Sequence, residues 1–562
     1  MRINKRLRTF IVLMIFLWVI YMLSPDFNHN DEVYLNKKLH EAINELKKLH
    51  IENKNLKLKV TSLHKMLEKH KNKNSDANAW KGPREQYELV RRRIYANTKE
   101  IWYYISSELR SLSREVTDVD HVDRMKSMVD EHYRSLLNDE ARLADVDGHS
   151  AWRHRENKYL SRLVEKRLVR SQNPPDCGNA KKLVCNFVNS HWCGYSCRLH
   201  HFIKCLIIAY GTERTLVIGN PASWEFTSGG WDTLFLPPST CASVAANEPV
   251  LEWPGLRDVQ VVNLTLPEPP YPSPRLRPRF IPVVLPEDLA RRINVLHGDP
   301  AVWWIGQFFK YLLRPQPATS DAFDAYAKRV RFQKPIVGVH IRREDKIFSE
   351  AALHELDEYM YHVGEYYKIK QLNGGVDKKR IYLATDEPTL FDEAKRKYPE
   401  YDIIGDPSLS ESGKFATREM NHSILNINID IHFLSLCDYL VCTFSSNVCR
   451  LAYELMNSLQ PDASAQFKSL DDTFYFSGQI HRLNIAVIPH KPNSTLEMDI
   501  QVGDQIEVAG NHWNGYSKGT NLRTNKTLLY PTFKVTPKVE VEHFATYPDI
   551  TVNTDELEDE NQ

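Results

Sequence analysis

The sequence predicts an α/β protein whose central body is a Rossmann-like parallel arrangement, with helices before it and a small β-barrel after it. Three observations carry this. Ile336 to Ile341 (IVGVHI) is a short apolar, β-branched run behind a proline, the pattern of a strand covered on both faces. Ile381 to Thr385 (IYLAT) and Tyr439 to Phe444 (YLVCTF) repeat the pattern, with helical stretches between and polar residues at each end. From Asp471 to Val541 the character changes: EMDIQVGDQIEVAGNHWNGYSKG followed by LLYPTFKV has the spacing of an SH3 barrel, with Gly-Asp in a turn, a tryptophan, then Tyr-Pro. Ile488 and His490 stand where a peptide-binding barrel of that kind carries tyrosines, so the module is expected to help build a site rather than bind proline-rich peptides.

A chain of 562 residues is too long for one core, so two or three folded units are expected. A formal net charge of +1 gives no reason to expect a nucleic-acid partner, and 42% hydrophobic with 10% aromatic residues fits a globular enzyme. Phe10 to Leu23 is an unbroken apolar run preceded by Arg2, Lys5, Arg6 and Arg8 and lacking a small-x-small cleavage site. It reads as an uncleaved signal anchor with its basic end in the cytosol, against the alternative of a cleaved signal peptide. It is short against the about 20 residues of an ordinary span, which suits a thin early secretory membrane.

From Leu35 to Leu67 apolar residues recur at heptad spacing, with Asn53 at a seam position, which argues for a coiled coil and a homodimer. Residues 72–82 are polar and end in Gly-Pro, a break. Arg84 to Val169 is again helical, with Leu89, Ile94, Ile101, Ile105, Leu109 and Leu112 spaced to form one buried face. Asp118-x-Asp120 and Asp145-x-Asp147 look like metal-holding carboxylate pairs but lie in or beside these helices, and are read as solvated charge. A helix is expected over Phe202 to Tyr210 and a strand over Thr215 to Ile218, while proline-rich Leu266 to Pro286 reads as an extended connector. The nine cysteines crowd two regions and favour disulfides over zinc, since Cys193-x3-Cys197 is followed by no second ligand pair. Asn263, Asn421, Asn493 and Asn525 lie in sequons open to glycosylation in a lumenal chain.

The strand Ile336 to Ile341 empties into Arg342, Arg343, Glu344, Asp345 and Lys346. Ligands of open α/β sheets bind at the carboxyl ends of strands, and arginine's planar fork matches phosphate oxygens, so a bound diphosphate is expected there. GVHIRREDK, EAALHELDEYM, YLATDEP, ILNINIDIHFLS, LVCTFSSNVCRLAYE, SLDDTFYF and AGNHWNGYSKG, in order from about Trp80 to Tyr547, resemble the α-1,6-fucosyltransferases that core-fucosylate N-glycans. The resemblance implies a GT-B-like nucleotide-sugar transferase body acting in the Golgi membrane as a single-pass type II protein. It also implies inverting transfer of L-fucose from GDP-fucose to an N-glycoprotein, with no metal. The implied disulfides are Cys177 to Cys241, Cys185 to Cys205, Cys193 to Cys197 and Cys442 to Cys449, leaving Cys437 as a free thiol.

The same resemblance assigns roles residue by residue. Glu350, starting a helix after Ser349, is the general base, with Lys346 relaying the proton and Arg342 and Asp345 completing the catalytic group. Arg342, Arg343, His340, Asp430, Ser446, Asn447, Gly194 and Tyr359 hold the donor, Asp430 accepting from the guanine edge. Asp386, Glu387, Asp471, Asp472 and His512 hold the acceptor glycan. Ser196 stands where the family has a second glycine, Phe226 where it has a tyrosine, Asn447 for a glutamine and Glu387 for an aspartate. Rival readings are a protein O-fucosyltransferase and a catalytically silent lectin or scaffold. The expected division is a cytosolic tail (1–9), anchor (10–23), stem with coiled coil (24–82), helical dimerisation region (83–172), catalytic body (173–478, its Rossmann part about 330–470), SH3-like domain (479–541) and acidic tail (542–562).

Overall fold

The computed structural model describes Asn44 and residues 82–553 apart from 117, 188–192, 220–223, 225, 228, 246–247, 254–258, 267–278, 281–282, 344–350, 414–420 and 477–481. The expected anchor and coiled coil lie outside these residues. Among the described residues no helix is long and apolar enough to cross a membrane.

From residue 82 on, three helices come first among the described residues: α1 (Glu85–Leu112), α2 (Val119–Val146) and α3 (Ser150–Gln172). A first parallel sheet follows, built of β1 (Lys182–Phe187), β2 (Thr215–Ile218), β3 (Val250–Glu252) and β4 (Val261–Leu266) in the order β2-β1-β4-β3, with α4 (Tyr195–Gly211) as its crossover. After β5 (Val284–Pro286), the helices α5 (Ala290–Leu296), α6 (Pro300–Leu312) and α7 (Pro317–Val330) lead to the second sheet. It comprises β6 (Ile336–Ile341), α8 (Leu356–Gln371), β7 (Lys379–Thr385), α9 (Thr389–Lys397), β8 (Tyr401–Ile404), α10 (Pro407–Gly413), α11 (Asn421–Leu436), β9 (Tyr439–Cys442), α12 (Asn447–Leu459) and β10 (Phe467–Ser469). Its strands run parallel in the order β10-β9-β6-β7-β8. All six residues of β6 are buried, as a central strand with helices on both faces requires. Gly338 is needed at its middle, because a Cβ there would meet Cys437 Sγ and Leu434 at 3.1 Å. The chain ends in an antiparallel five-stranded sheet, β11 (Leu483–Ala486), β12 (Gln505–Asn511), β13 (Tyr516–Asn521), β14 (Lys526–Pro531) and β15 (Val535–Pro537), and then β16 (Glu540–Glu542).

Several expectations need correction. Leu89, Ile94, Ile101 and Leu112 are exposed, so α1 does not bury the face that the apolar spacing marks out. Of that face Leu109 is buried and Ile105 half-buried; the helix packs through Leu109 together with Trp102, Tyr103 and Ser106, and Trp102 stacks on Tyr133 of α2 while its Nε1–H donates to Asp130 at 2.8 Å. Asp147 is not solvated charge: its side chain is 4% exposed, ion-paired with Arg153, and accepts from the Tyr87 hydroxyl. Helix α3 belongs to the catalytic body rather than to a separate stem. Leu160, Leu163, Val164 and Leu168 lie in the same core as Trp303, Phe308 and Phe309 of α6. Finally, the segment from residue 542, expected as an acidic tail, packs on the body as far as residue 553. β16 pairs with β5, Phe544 is 1% exposed, and the Tyr210 hydroxyl donates to the Ala545 carbonyl. The acidic run begins later, at Asp555, so the apolar Phe544, Tyr547, Ile550 and Val552 are left to pack on the core.

The structure joins Cys177 to Cys241, Cys185 to Cys205, Cys193 to Cys197 and Cys442 to Cys449, and Cys437 is a buried free thiol. Of the sequons, Asn493 and Asn525 are on the surface, while the Asn421 side chain lies outside the described residues. Asn263 is withdrawn from the accessible set. It sits mid-strand in β4, its Oδ1 accepting from Asn186 at 2.5 Å and its Nδ2 donating to Glu252 at 2.7 Å.

Candidate active site

β6 and β7 lie side by side with Ile341 opposite Thr385, so the next residues of both strands meet beyond the sheet edge. That register brings the basic pair onto the acidic one. Arg342 Nη1 donates to Asp386 Oδ2 at 2.5 Å and to the Gly413 carbonyl at 3.1 Å, and the Arg343 amide donates to Asp386 Oδ1 at 3.0 Å. The Arg343 guanidinium reaches Glu387 at 2.9 Å and Glu355, the N-cap of α8, at 3.1 Å. With Asp386 buried and both arginines largely covered, these charges are preorganised rather than solvated. Asp386 and Glu387, expected at the acceptor, are thus placed on the arginines.

The next strand over, β9, supplies the other half. Its exit turn leads into α12 with Ser446 as N-cap, so the first amides of a thirteen-residue helix point out of the sheet edge toward the arginine pair's side. Asp471 holds this turn. Its carboxylate accepts from the Phe444 amide at 2.8 Å, the Ser445 amide at 3.3 Å, the Ser469 hydroxyl at 3.0 Å and the Asp472 amide at 2.6 Å. The expected acceptor contact of Asp471 therefore gives way to a positioning task. Asn447 Oδ1 accepts from Arg450 at 2.5 Å, and the Arg450 guanidinium lies 3.9 Å from the centre of the Tyr475 ring.

The residues expected at the nucleotide lie on β6, α11 and α4. The Tyr382 hydroxyl donates to Asp430 Oδ1 at 2.8 Å, and burial pushes the Asp430 carboxyl up to about 7 against that hydrogen bond. His340, near the end of β6, is held neutral: burial and then Arg342 push it down to about 3, and its Nδ1 has no hydrogen-bond partner among the described residues. Gly194 is the N-cap of α4, and a Cβ there would meet nothing within 4 Å among the described residues. The next residue ties the two halves together, the Tyr195 hydroxyl donating to Asn428 of α11 at 2.9 Å, two residues from Asp430. Phe226 is buried with its ring edge-on to Tyr195, under the Arg198 guanidinium. Ser196 is also buried, and its carbonyl lies 2.7 Å from His200 Nδ1.

On the remaining side stands the barrel. Trp513 Nε1–H donates to the Asp471 carbonyl at 2.9 Å, and Asp472 lies beside Gly510 of β12, where a Cβ would stand 3.8 Å from Asp472 Oδ1. His512, exposed at the end of β12, is thereby brought next to the Asp471–Asp472 loop. Tyr359 of α8 is buried, with its hydroxyl bonded to Thr443 at the start of the α12 turn. Glu350, Lys346 and Asp345 lie outside the described residues, so the expected base and relay have no geometry here. Among the described residues, Cys193, Cys197 and His201 bring ligand atoms within 4.8 Å of one another, but the disulfide between the two cysteines takes away their thiolates.

Sequence reasoning missed Tyr382, Arg450, Asn428 and Trp513. Tyr382 and Asn428 sit inside apolar segments that read as core. Only the Trp in AGNHWNGYSKG carried a signal, as the barrel's tryptophan.

A family model for alpha-(1,6)-fucosyltransferase N- and catalytic domains matches residues 2–475. An alpha-(1,6)-fucosyltransferase of Drosophila melanogaster is 45% identical over 475 residues, 83% of this chain and 76% of that one. One of Caenorhabditis elegans is 34% identical over 459 residues, 81% of this chain and 79% of that one. Among solved structures, the fucosyltransferase NodZ from Bradyrhizobium is 14% identical, covering 49% of this chain and 92% of its own with a TM-score of 0.30.

Proposed function

The chain belongs to the alpha-(1,6)-fucosyltransferase family, and from that premise we propose that it moves L-fucose from GDP-fucose to the 6-hydroxyl of the innermost, Asn-linked GlcNAc of N-glycans. The observation that supports this most is the pairing of Arg342 and Arg343 with the α12 N-terminus at adjacent strand ends. Inverting transfer needs charge compensation on the departing diphosphate and a base for the acceptor hydroxyl. Arg342 and Arg343 supply the first with the amides after Ser446 and Gly194, so the reading is of a metal-independent transfer. Asp430 accepts from the guanine N1–H and N2–H groups, a pairing that adenine and uracil do not offer. Glu350 takes the acceptor proton and Lys346 relays it. The glycan lies against Asp472, His512 and Asp345.

In this reading the protein is a type II Golgi membrane protein anchored by Phe10 to Leu23, with its disulfides in the lumen. It dimerises through its helical region. The exposed Leu89, Ile94, Ile101, Leu112, Met128 and Leu136 of α1 and α2 support that, being too many apolar side chains for a free surface.

The test is transfer by the detergent-solubilised full chain, with GDP-fucose, EDTA and a GlcNAc-terminated biantennary glycopeptide, the product linkage being mapped by glycosidases. An α-1,6-fucosylated core is expected, with kcat falling at least about 10²-fold in Arg342→Ala, as on losing a preorganised donor, and in Glu350→Gln. GDP binding without transfer would sink the reading in favour of a lectin. Fucose on a protein hydroxyl would move it to an O-fucosyltransferase.

A further inference from the structure

Three parts of the fold converge on one ammonium group. Lys468 of β10 is 6% exposed, and its Nζ lies 3.8 Å from the centre of the Trp513 ring and 4.4 Å from that of Tyr103 in α1. It donates to the Tyr103 hydroxyl at 3.1 Å. A cation between two aromatic faces is attracted to both, and the attraction strengthens as water is excluded. Burial holds the ammonium well below its ordinary pKa, with Lys99 adding to the shift and Glu100 opposing it.

Trp513 itself is in an unusual state. Its φ of +53° lies in the left-handed region, which an aromatic residue occupies only where its surroundings impose it. Here they do. The Trp513 amide donates to the Asn511 side chain at 2.8 Å, Nε1–H donates to the Asp471 carbonyl, and Gly515 approaches α1 so closely that a Cβ would lie 2.9 Å from Tyr104 Cβ. Asp471 is a two-ended residue: its carbonyl takes the indole N–H while its carboxylate holds the donor turn.

We propose that Trp513, held in place by the caged Lys468, is a positioning residue that fixes the Asp471–Asp472 loop for the acceptor glycan. The inference rests on the reading above, in which the acceptor lies against Asp472 and His512. The barrel then acts by bracing a loop of the catalytic body as well as by presenting His512. The donor turn stays in place when the brace is lost, because the Asp471 carboxylate keeps its four bonds.

The test compares full-length wild type with Trp513→Phe, which keeps a ring over the ammonium but donates no hydrogen bond, and Lys468→Met, which keeps the volume without the charge. Each is expected to raise the acceptor KM about fivefold, the size of one ordinary hydrogen bond, with the KM for GDP-fucose unchanged. Amide exchange over residues 470–475 should quicken in both. An unchanged acceptor KM with unchanged exchange overturns the proposal, and so does an equal rise of both KM values with a lowered Tm, the sign of a general structural role. If the wild type transfers no fucose, the functional reading fails while the exchange measurement still decides whether Trp513 braces the loop.

Discussion

The two parallel sheets have the same local architecture and lean to different degrees on covalent bonds and on charge. Around the first, β2-β1-β4-β3, the edge is held covalently: Cys177–Cys241 closes a 64-residue loop, Cys185–Cys205 ties β1 to α4, and Cys193–Cys197 brackets Gly194. It offers a ligand main-chain groups. Around the second, β10-β9-β6-β7-β8, one bridge, Cys442–Cys449, ties β9 to α12, and the β6–β7 side of the edge is held by charge, through Arg342 with Asp386 and Arg343 with Glu387 and Glu355. A hydrogen-bonded ion pair can exchange partners with an incoming phosphate, whereas a disulfide cannot.

The contrast can be broken most severely on the covalent side. Cys177→Ser with Cys241→Ser should lower stability by about 4 kcal/mol, the loop-closure value for a loop of that length, read as a reduced midpoint in denaturant. A loss below about 1 kcal/mol would show that the half holds its shape without the bridge. On the charged side, Asp386→Ala removes the carboxylate partner of a largely buried arginine and should cost about 3 kcal/mol, while Glu387→Ala, whose carboxylate is 37% exposed, should cost under about 1 kcal/mol. Equal costs for the two would mean that the pair works as one network.

The gentlest probe is pH. The Asp430 carboxyl stands at about 7 in the folded protein, above its ordinary 3.8, because it is buried. Guanine needs the carboxylate, so the KM for GDP-fucose should rise as pH falls through about 7, and GDP binding near that pH should release a proton measurable by calorimetry in two buffers. For stability the window runs from 3.8 to about 7 and the sign is reversed. Below 3.8 both states carry the proton; as pH rises to about 7 only the unfolded chain loses it, so stability declines over that interval. Asp430→Asn should flatten both curves, and a pH-independent KM in the wild type would show that Asp430 does not read the base.

Much of this was legible because it is local. A β-branched run without polar interruption announces a central strand, and arginines at its end announce an anion site. The resemblance to fucosyltransferases carried the residue roles. What the sequence hid depends on pairing between distant segments. Asp386 meets Arg342 only because of the register between β6 and β7, and Asp471 serves the donor turn only because β10 lies against β9. The face of α1 was misjudged for a related reason. Apolar spacing marks a stripe, but Trp102 has a buried partner in Asp130 on the other side, and Leu89, Ile94, Ile101 and Leu112 of the stripe are left outside. The final segment was read from its charge, although Phe544 and Tyr547 precede every residue of the acidic run.

The strand β16 has a consequence for motion. The barrel follows β10 and the Asp471–Asp472 loop of the second sheet, and three residues after its last strand the chain pairs with β5, which leads out of the first. The barrel is therefore a bridge with an abutment on each half, and any opening of the cleft must work against both of its ends. Hinge bending of the kind two-domain transferases use would meet a clasp here, and β16 is the catch that has to slip first.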